Sequence, residues 1–160
     1  YSKSFQLEID YQLTNNMKLK SAYKNFNVKK QYNSGLKQNP LTPKNRFFIN
    51  LDYSTKKDSN QPFWRFDFTY NSIGNQRLPA HTDQKIYNEY SPSYFLINAQ
   101  VTRIFSNKFE IYLGGENLNN YTQKSPILDN SNPFGTNFDS TLIFAPIQGY
   151  MYYLGLRLKL

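Results

Sequence analysis

The chain has 160 residues, enough for one ordinary domain, with no cysteine, 18% aromatic residues and a formal net charge of +8. The missing cysteines exclude a disulfide framework and thiolate metal sites. No run approaches the roughly 18 to 20 consecutive apolar residues of a membrane-spanning helix.

Period-two alternation runs through the chain and predicts seven strands. The first, over about 3–13, sets Phe5, Leu7, Ile9, Tyr11 and Leu13 against Ser4, Gln6, Glu8, Asp10 and Gln12. The second, over 17–27, is the weakest, with Leu19 and Tyr23 opposed by Lys18, Lys20 and Lys24. The third, over 45–55, alternates Phe47, Ile49, Leu51 and Tyr53 with Asn50, Asp52 and Ser54. The fourth, over 63–72, alternates Trp64, Phe66, Phe68 and Tyr70 with Arg65, Asp67, Thr69 and Asn71. The fifth, over 94–105, carries Phe95, Ile97, Ala99 and Val101 against Asn98, Gln100 and Thr102. The sixth, over 109–118, carries Phe109, Ile111 and Leu113 against Glu110, Tyr112, Gly114 and Glu116. The last occupies 150–160, with Tyr150, Tyr152, Leu154, Leu156, Leu158 and Leu160 on one face and Met151, Tyr153, Gly155, Arg157 and Lys159 on the other. No segment has the apolar spacing of a helix.

Connection lengths alternate. TNN (14–16), KKDSNQP (56–62) and SNK (106–108) are short, whereas 28–44, 73–93 and 119–147 are long. In an up-and-down antiparallel meander, every short turn then lies at one end and every long loop at the other. Outer-membrane barrels have this asymmetry, with short periplasmic turns and long extracellular loops. Their strands are apolar toward lipid and polar toward the lumen, which fits the aromatic faces here and the charges Glu8, Asp52 and Asp67 opposite them. An odd number of strands and a charged inner face suit part of a larger barrel better than a small closed one. The competing architecture is a soluble β-sandwich that binds carbohydrate; a porin-type barrel is a near relative. The opening YSKSFQLEID lacks an apolar signal core, so the chain is expected to be processed or to begin inside a longer one.

Charge is uneven. Residues 1–62 carry eleven Lys and Arg against four acids, and residues 63–160 carry eight against seven. Lys18, Lys20, Lys24, Lys29 and Lys30 form the excess, which suggests a solvated lumen wall or an anion-binding surface. Single-stranded nucleic acid is the weaker option, because stacking needs lysines and aromatics on one face. The carboxylates Asp52, Asp67, Glu110 and Glu116 share the polar face with Arg65, Arg157 and Lys159, and one register sets Asp52 opposite Arg65. Arg103 falls on the apolar face near the short-turn end, placed to snorkel to headgroups.

No enzymatic constellation stands out. His81 is the only histidine and lies beside Pro79 and Asp83. No nucleophile elbow, zinc-protease helix or phosphate-binding glycine loop occurs. Gly114 and Gly115 suit relief of crowding or a bend. No catalytic, cofactor-binding or metal-binding residue is assigned. Gln76, Arg77, His81, Tyr87, Tyr90, Tyr121, Asn130 and Phe134 stand in the long loops, where recognition usually resides. Nothing selects among sugars, peptides and siderophores as their ligand.

The series GGENLNNY, NPFGTNFD and PIQGYMYYLGLR, supported by NPLTPKNRFFINLDY and GNQRLP, resembles the C-terminal barrel of TonB-dependent outer-membrane receptors of the Bacteroidota type. The resemblance covers nearly the whole chain. It implies a barrel of about 22 strands closed by an N-terminal plug, of which this chain looks like the last seven strands. It also implies location in the outer membrane of a Gram-negative bacterium and active uptake of an iron-siderophore, vitamin or glycan. The partners implied are TonB through the plug region, outer-membrane lipid and lipopolysaccharide, and the barrel-assembly machinery. This chain ends in Leu160, where many such barrels end in an aromatic residue.

Overall fold

The computed structural model describes residues 1–55, 62–79, 88–140 and 142–159. The strands are β1 (Ser2–Thr14), β2 (Met17–Tyr32), β3 (Gly35–Gln38), β4 (Asn45–Ser54), β5 (Phe63–Ile73), β6 (Tyr94–Ile104), β7 (Phe109–Glu116) and β8 (Met151–Leu158). Seven of them form one antiparallel meander in the order β1-β2-β4-β5-β6-β7-β8. The eighth, β3, was not expected. It folds back on the far end of β2, pairing Lys29 with Gln38 and Tyr32 with Gly35, so that 28–44 begins as a hairpin extension. Gly35 supplies the positive φ of 102° that closes this turn. Its strands are polar on both sides (KKQY, GLKQ), which is why alternation did not reveal it.

Cross-strand register turns seven alternating patterns into one surface. Directly paired residues in an antiparallel ladder share a face. One row runs Tyr11, Leu19, Leu51, Phe68, Ala99, Gly115, Tyr152. The next runs Met17, Tyr53, Phe66, Val101, Leu113, Leu154. A slip of one residue in any strand would break these rows. Ring contacts knit the face, as between Tyr53 and Phe66 at 6.1 Å and between Tyr70 and Phe95 at 5.5 Å. Arg103 stands on this face as expected, its guanidinium 4.9 Å from the Trp64 ring and 5.7 Å from that of Phe105.

Among the described residues, nothing covers the apolar face. Each strand contacts only its ladder neighbours, and among the described residues no second sheet packs against the first. A β-sandwich, whose core is the meeting of two sheets, is therefore ruled out for the described residues. Leu154 remains 75% exposed at the centre of β8. The accessible surface of 11124 Å² exceeds the roughly 8,300 Å² expected of a self-contained globule of 18.9 kDa. Among the described residues β1 and β8 each pair on one side only, leaving two open sheet edges. Among the described residues no helix is long and apolar enough to cross a membrane, which says nothing of crossing by strands.

The opposite face is polar. Asp52 pairs with Lys18 on one side and Asp67 on the other; the register that would set it opposite Arg65 is not the one adopted, and Arg65 lies opposite Ser54. The hairpin is thus offset by two residues from the register that matches opposite charges. The carboxamide of Asn50 offsets part of the repulsion, donating to Asp67 Oδ2 at 3.0 Å and to Thr69 Oγ1 at 3.0 Å. Lys18 reaches Asp10 at 3.0 Å, and Arg157 pairs with Glu110 across β7 and β8. Gly114 and Gly155 accommodate rings: a Cβ on the first would collide with Tyr153, and on the second with Tyr112. The Tyr153 hydroxyl, lying across Gly114, donates to Gln100 Oε1 at 3.1 Å. The expectation that Gly114 relieves crowding is met in this form.

Candidate functional site: the packed long loops

The three long connections meet at one end of the sheet and pack together. Leaving β7, the chain keeps its hold on β6 through asparagines. Leu118 N–H donates to Ile97 O at 2.8 Å, Asn119 Oδ1 accepts from Ile97 N–H at 3.0 Å, and Asn119 Nδ2 donates to Phe95 O at 2.8 Å. Asn117 and Asn120 adopt φ of 52° and 53°, a region that asparagine tolerates better than most residues. Buried Asn117 donates through Nδ2 to Tyr121 O at 2.8 Å and Gln148 O at 3.1 Å, clamping the two ends of the last loop.

A small core forms above the sheet from Leu78, in the loop after β5, and Leu128 and Leu142, in the loop after β7, with Phe144 against them. Gln123 serves this core as a surrogate strand. Its Oε1 accepts from Phe144 N–H at 2.8 Å and Ala145 N–H at 3.2 Å, and its Nε2 donates to Leu142 O at 2.7 Å. The sequence gives little warning of this core, since its leucines are isolated among polar residues.

Gln76 and Arg77 are buried and serve as ties. Gln76 Nε2 donates to Phe144 O at 2.9 Å. Arg77, 5% exposed, donates to Gln38 O at 3.2 Å and to Glu89 Oε1 at 3.4 Å, with its guanidinium 5.3 Å from the Tyr32 ring. Its carbonyl accepts from Leu41 N–H at 2.8 Å, fixing a leucine held at φ 53°. Replacing Arg77 with lysine keeps the charge but loses the planar fork. We expect Arg77→Lys to raise amide exchange in 39–44 and 75–78 about tenfold, a shift of ~1.4 kcal/mol in local opening, with exchange in β5 and β6 unchanged.

The other loop candidates differ in setting. Tyr121 stacks on Tyr94, centroids 4.8 Å apart and planes 6° from parallel, and burial pushes its hydroxyl above the ordinary value of 10.0. Tyr90 is half-exposed and Asn130 exposed. Phe134, 99% exposed, tips the turn beyond the Leu128–Asp139 bridge. His81 and Tyr87, like most of the 56–62 turn, lie outside the described residues.

Below these ties opens a cavity of about 440 Å³, lined on β2 by Asn25, Asn27 and Lys29, on β3 by Gln38 and from the loops by Lys44, Asn75 and Tyr90 among others. Among the described residues, no cluster of acidic, histidine or cysteine side chains could hold a metal ion.

No family model, curated protein or solved structure matches this chain.

Proposed function

We propose that this chain is the C-terminal wall of a TonB-dependent outer-membrane receptor for active nutrient uptake. One observation carries the reading: an apolar face continuous across all seven meander strands and, among the described residues, uncovered by any second layer and bounded by two open edges. Lipid is the solvent that suits such a face, and further barrel strands suit such edges. The packed long loops supply a rigid scaffold for capture at the opposite end from the short turns. In the whole receptor, ligand held by these loops would pass inward as TonB draws on the plug. The polar inner face, with Asp52, Asp67 and Lys18, would contact that plug. Lipid, lipopolysaccharide and the barrel-assembly machinery are the partners of the outer surface and of its insertion.

Nucleic-acid binding is disfavoured by register. Lys18, Lys20 and Lys24 stand on the face opposite Leu19, Tyr23 and their aromatic neighbours, so lysines and stacking rings are not combined there. A porin-type barrel shares the wall and differs in lacking the plug. The intact gene product in outer-membrane extracts, detected with an antibody to 119–147, should have a mass several times 18.9 kDa and a mobility that shifts on boiling. A soluble product near 18.9 kDa would overturn the proposal.

A further inference from the structure

We infer that the 440 Å³ cavity beneath the Arg77 ties binds an anionic, hydroxyl-rich ligand, a saccharide bearing a carboxylate or phosphate group. This names a ligand class for the long-loop end and rests on the receptor reading only for its biological purpose. The volume lies within the range of small-molecule sites. The residues lining it include Lys29, Lys44, Asn25, Asn27, Asn75, Thr42 and Tyr90, and among the described residues no Asp or Glu.

What matters is which of these groups are already committed. The Arg77 guanidinium is neutralised by Glu89 and bonded to Gln38 O, so it shapes the wall. Lys29 and Lys44 have no ion-pair partner among the described residues, and the carboxamides of Asn25, Asn27 and Asn75 have no hydrogen-bond partner there. Two free ammonium groups favour an anion, and charge-assisted bonds are the stronger kind. Three free carboxamides each offer donors and an acceptor, the combination that matches vicinal hydroxyls. The half-exposed ring of Tyr90 offers an apolar surface for a sugar face. An apolar ligand would leave these five polar side chains desolvated and unmatched.

Calorimetry on the native gene product in detergent, with trigalacturonate, glucose 6-phosphate and neutral maltotriose as probes, tests the inference. At least one anionic probe should bind about tenfold more tightly than maltotriose, and Lys29→Ala/Lys44→Ala should abolish that advantage. Lys29→Gln/Lys44→Gln, which retains polar bulk, should do the same. Lys108→Ala/Lys159→Ala removes equal charge outside the cavity and should leave the advantage intact. Preference for trigalacturonate would identify a carboxylated ligand, and preference for glucose 6-phosphate a phosphorylated one. Equal binding of all probes, no binding at millimolar concentration, or an equal loss in the Lys108/Lys159 variant would overturn the inference. The receptor reading fails separately, on the mass and location of the gene product.

Discussion

Phe68→Arg is expected to reduce the free energy of unfolding in lipid vesicles by about 2–4 kcal/mol, the cost of a cation near the midplane of a barrel's lipid face. Phe68 is 42% exposed and lies in the middle of the row from Tyr11 to Tyr152, between Leu51 and Ala99. Neither end of the sheet is within reach, so the guanidinium cannot easily extend to headgroups as Arg103 can. Asn71→Arg is the paired control. Asn71 stands on the opposite face, between Phe48 and Leu96, where the account places a wet lumen. Its substitution should cost less than about 1 kcal/mol. Chemical unfolding of the vesicle-inserted native protein reads both values. Equal costs for the two variants would mean that the faces do not meet different solvents.

Gln123→Ala should be the most damaging single change in the loops, at about 2–4 kcal/mol of local stability. Gln123 is 6% exposed, and its side chain serves three backbone groups of the 142–145 segment. Truncation leaves two N–H groups and a carbonyl buried without partners beside Leu78, Leu128 and Leu142. Limited proteolysis should then cut within 122–148 under conditions that leave the parent protein intact, while the strands stay protected. Gln123→Glu tests the geometry: it keeps an acceptor for Phe144 and Ala145 but loses the donor to Leu142 O, and should fall between the two. Unchanged protease resistance in Gln123→Ala would show that the loop core holds without this surrogate strand.

The strands were legible because residues of the apolar and polar faces alternate with a period of two, and period survives in a single sequence. Phe66, Phe68 and Tyr70 against Arg65, Asp67 and Thr69 state their faces without help from any neighbour. Register is a property of pairs and was less legible. Charge matching suggested Asp52 opposite Arg65, but aligning Leu51 with Phe68 and Tyr53 with Phe66 on the apolar face outweighs one exposed ion pair. The loop end was least legible. Gln76 and Arg77 suggested solvent-facing recognition, yet both are buried as ties. Their partners, Phe144 O and Gln38 O, are 68 and 39 residues away, a separation that no local pattern encodes. The cavity likewise joins Lys29 to Lys44 and Asn75 through the β3 hairpin, whose strands carry no apolar stripe.

The absence of cysteine makes single-cysteine labelling clean, and it supports the measurement that bears most directly on the central claim. Spin labels placed singly at 49–53 on β4 and 66–70 on β5, in the native protein in lipid vesicles, can be read for collision with oxygen and with a water-soluble nickel chelate. Oxygen maxima are expected at Ile49, Leu51, Tyr53, Phe66, Phe68 and Tyr70, and nickel maxima at Asn50, Asp52, Asp67 and Thr69, in strict alternation. Nickel access on both faces, or no period of two, would contradict the claim that this sheet separates lipid from a wet interior.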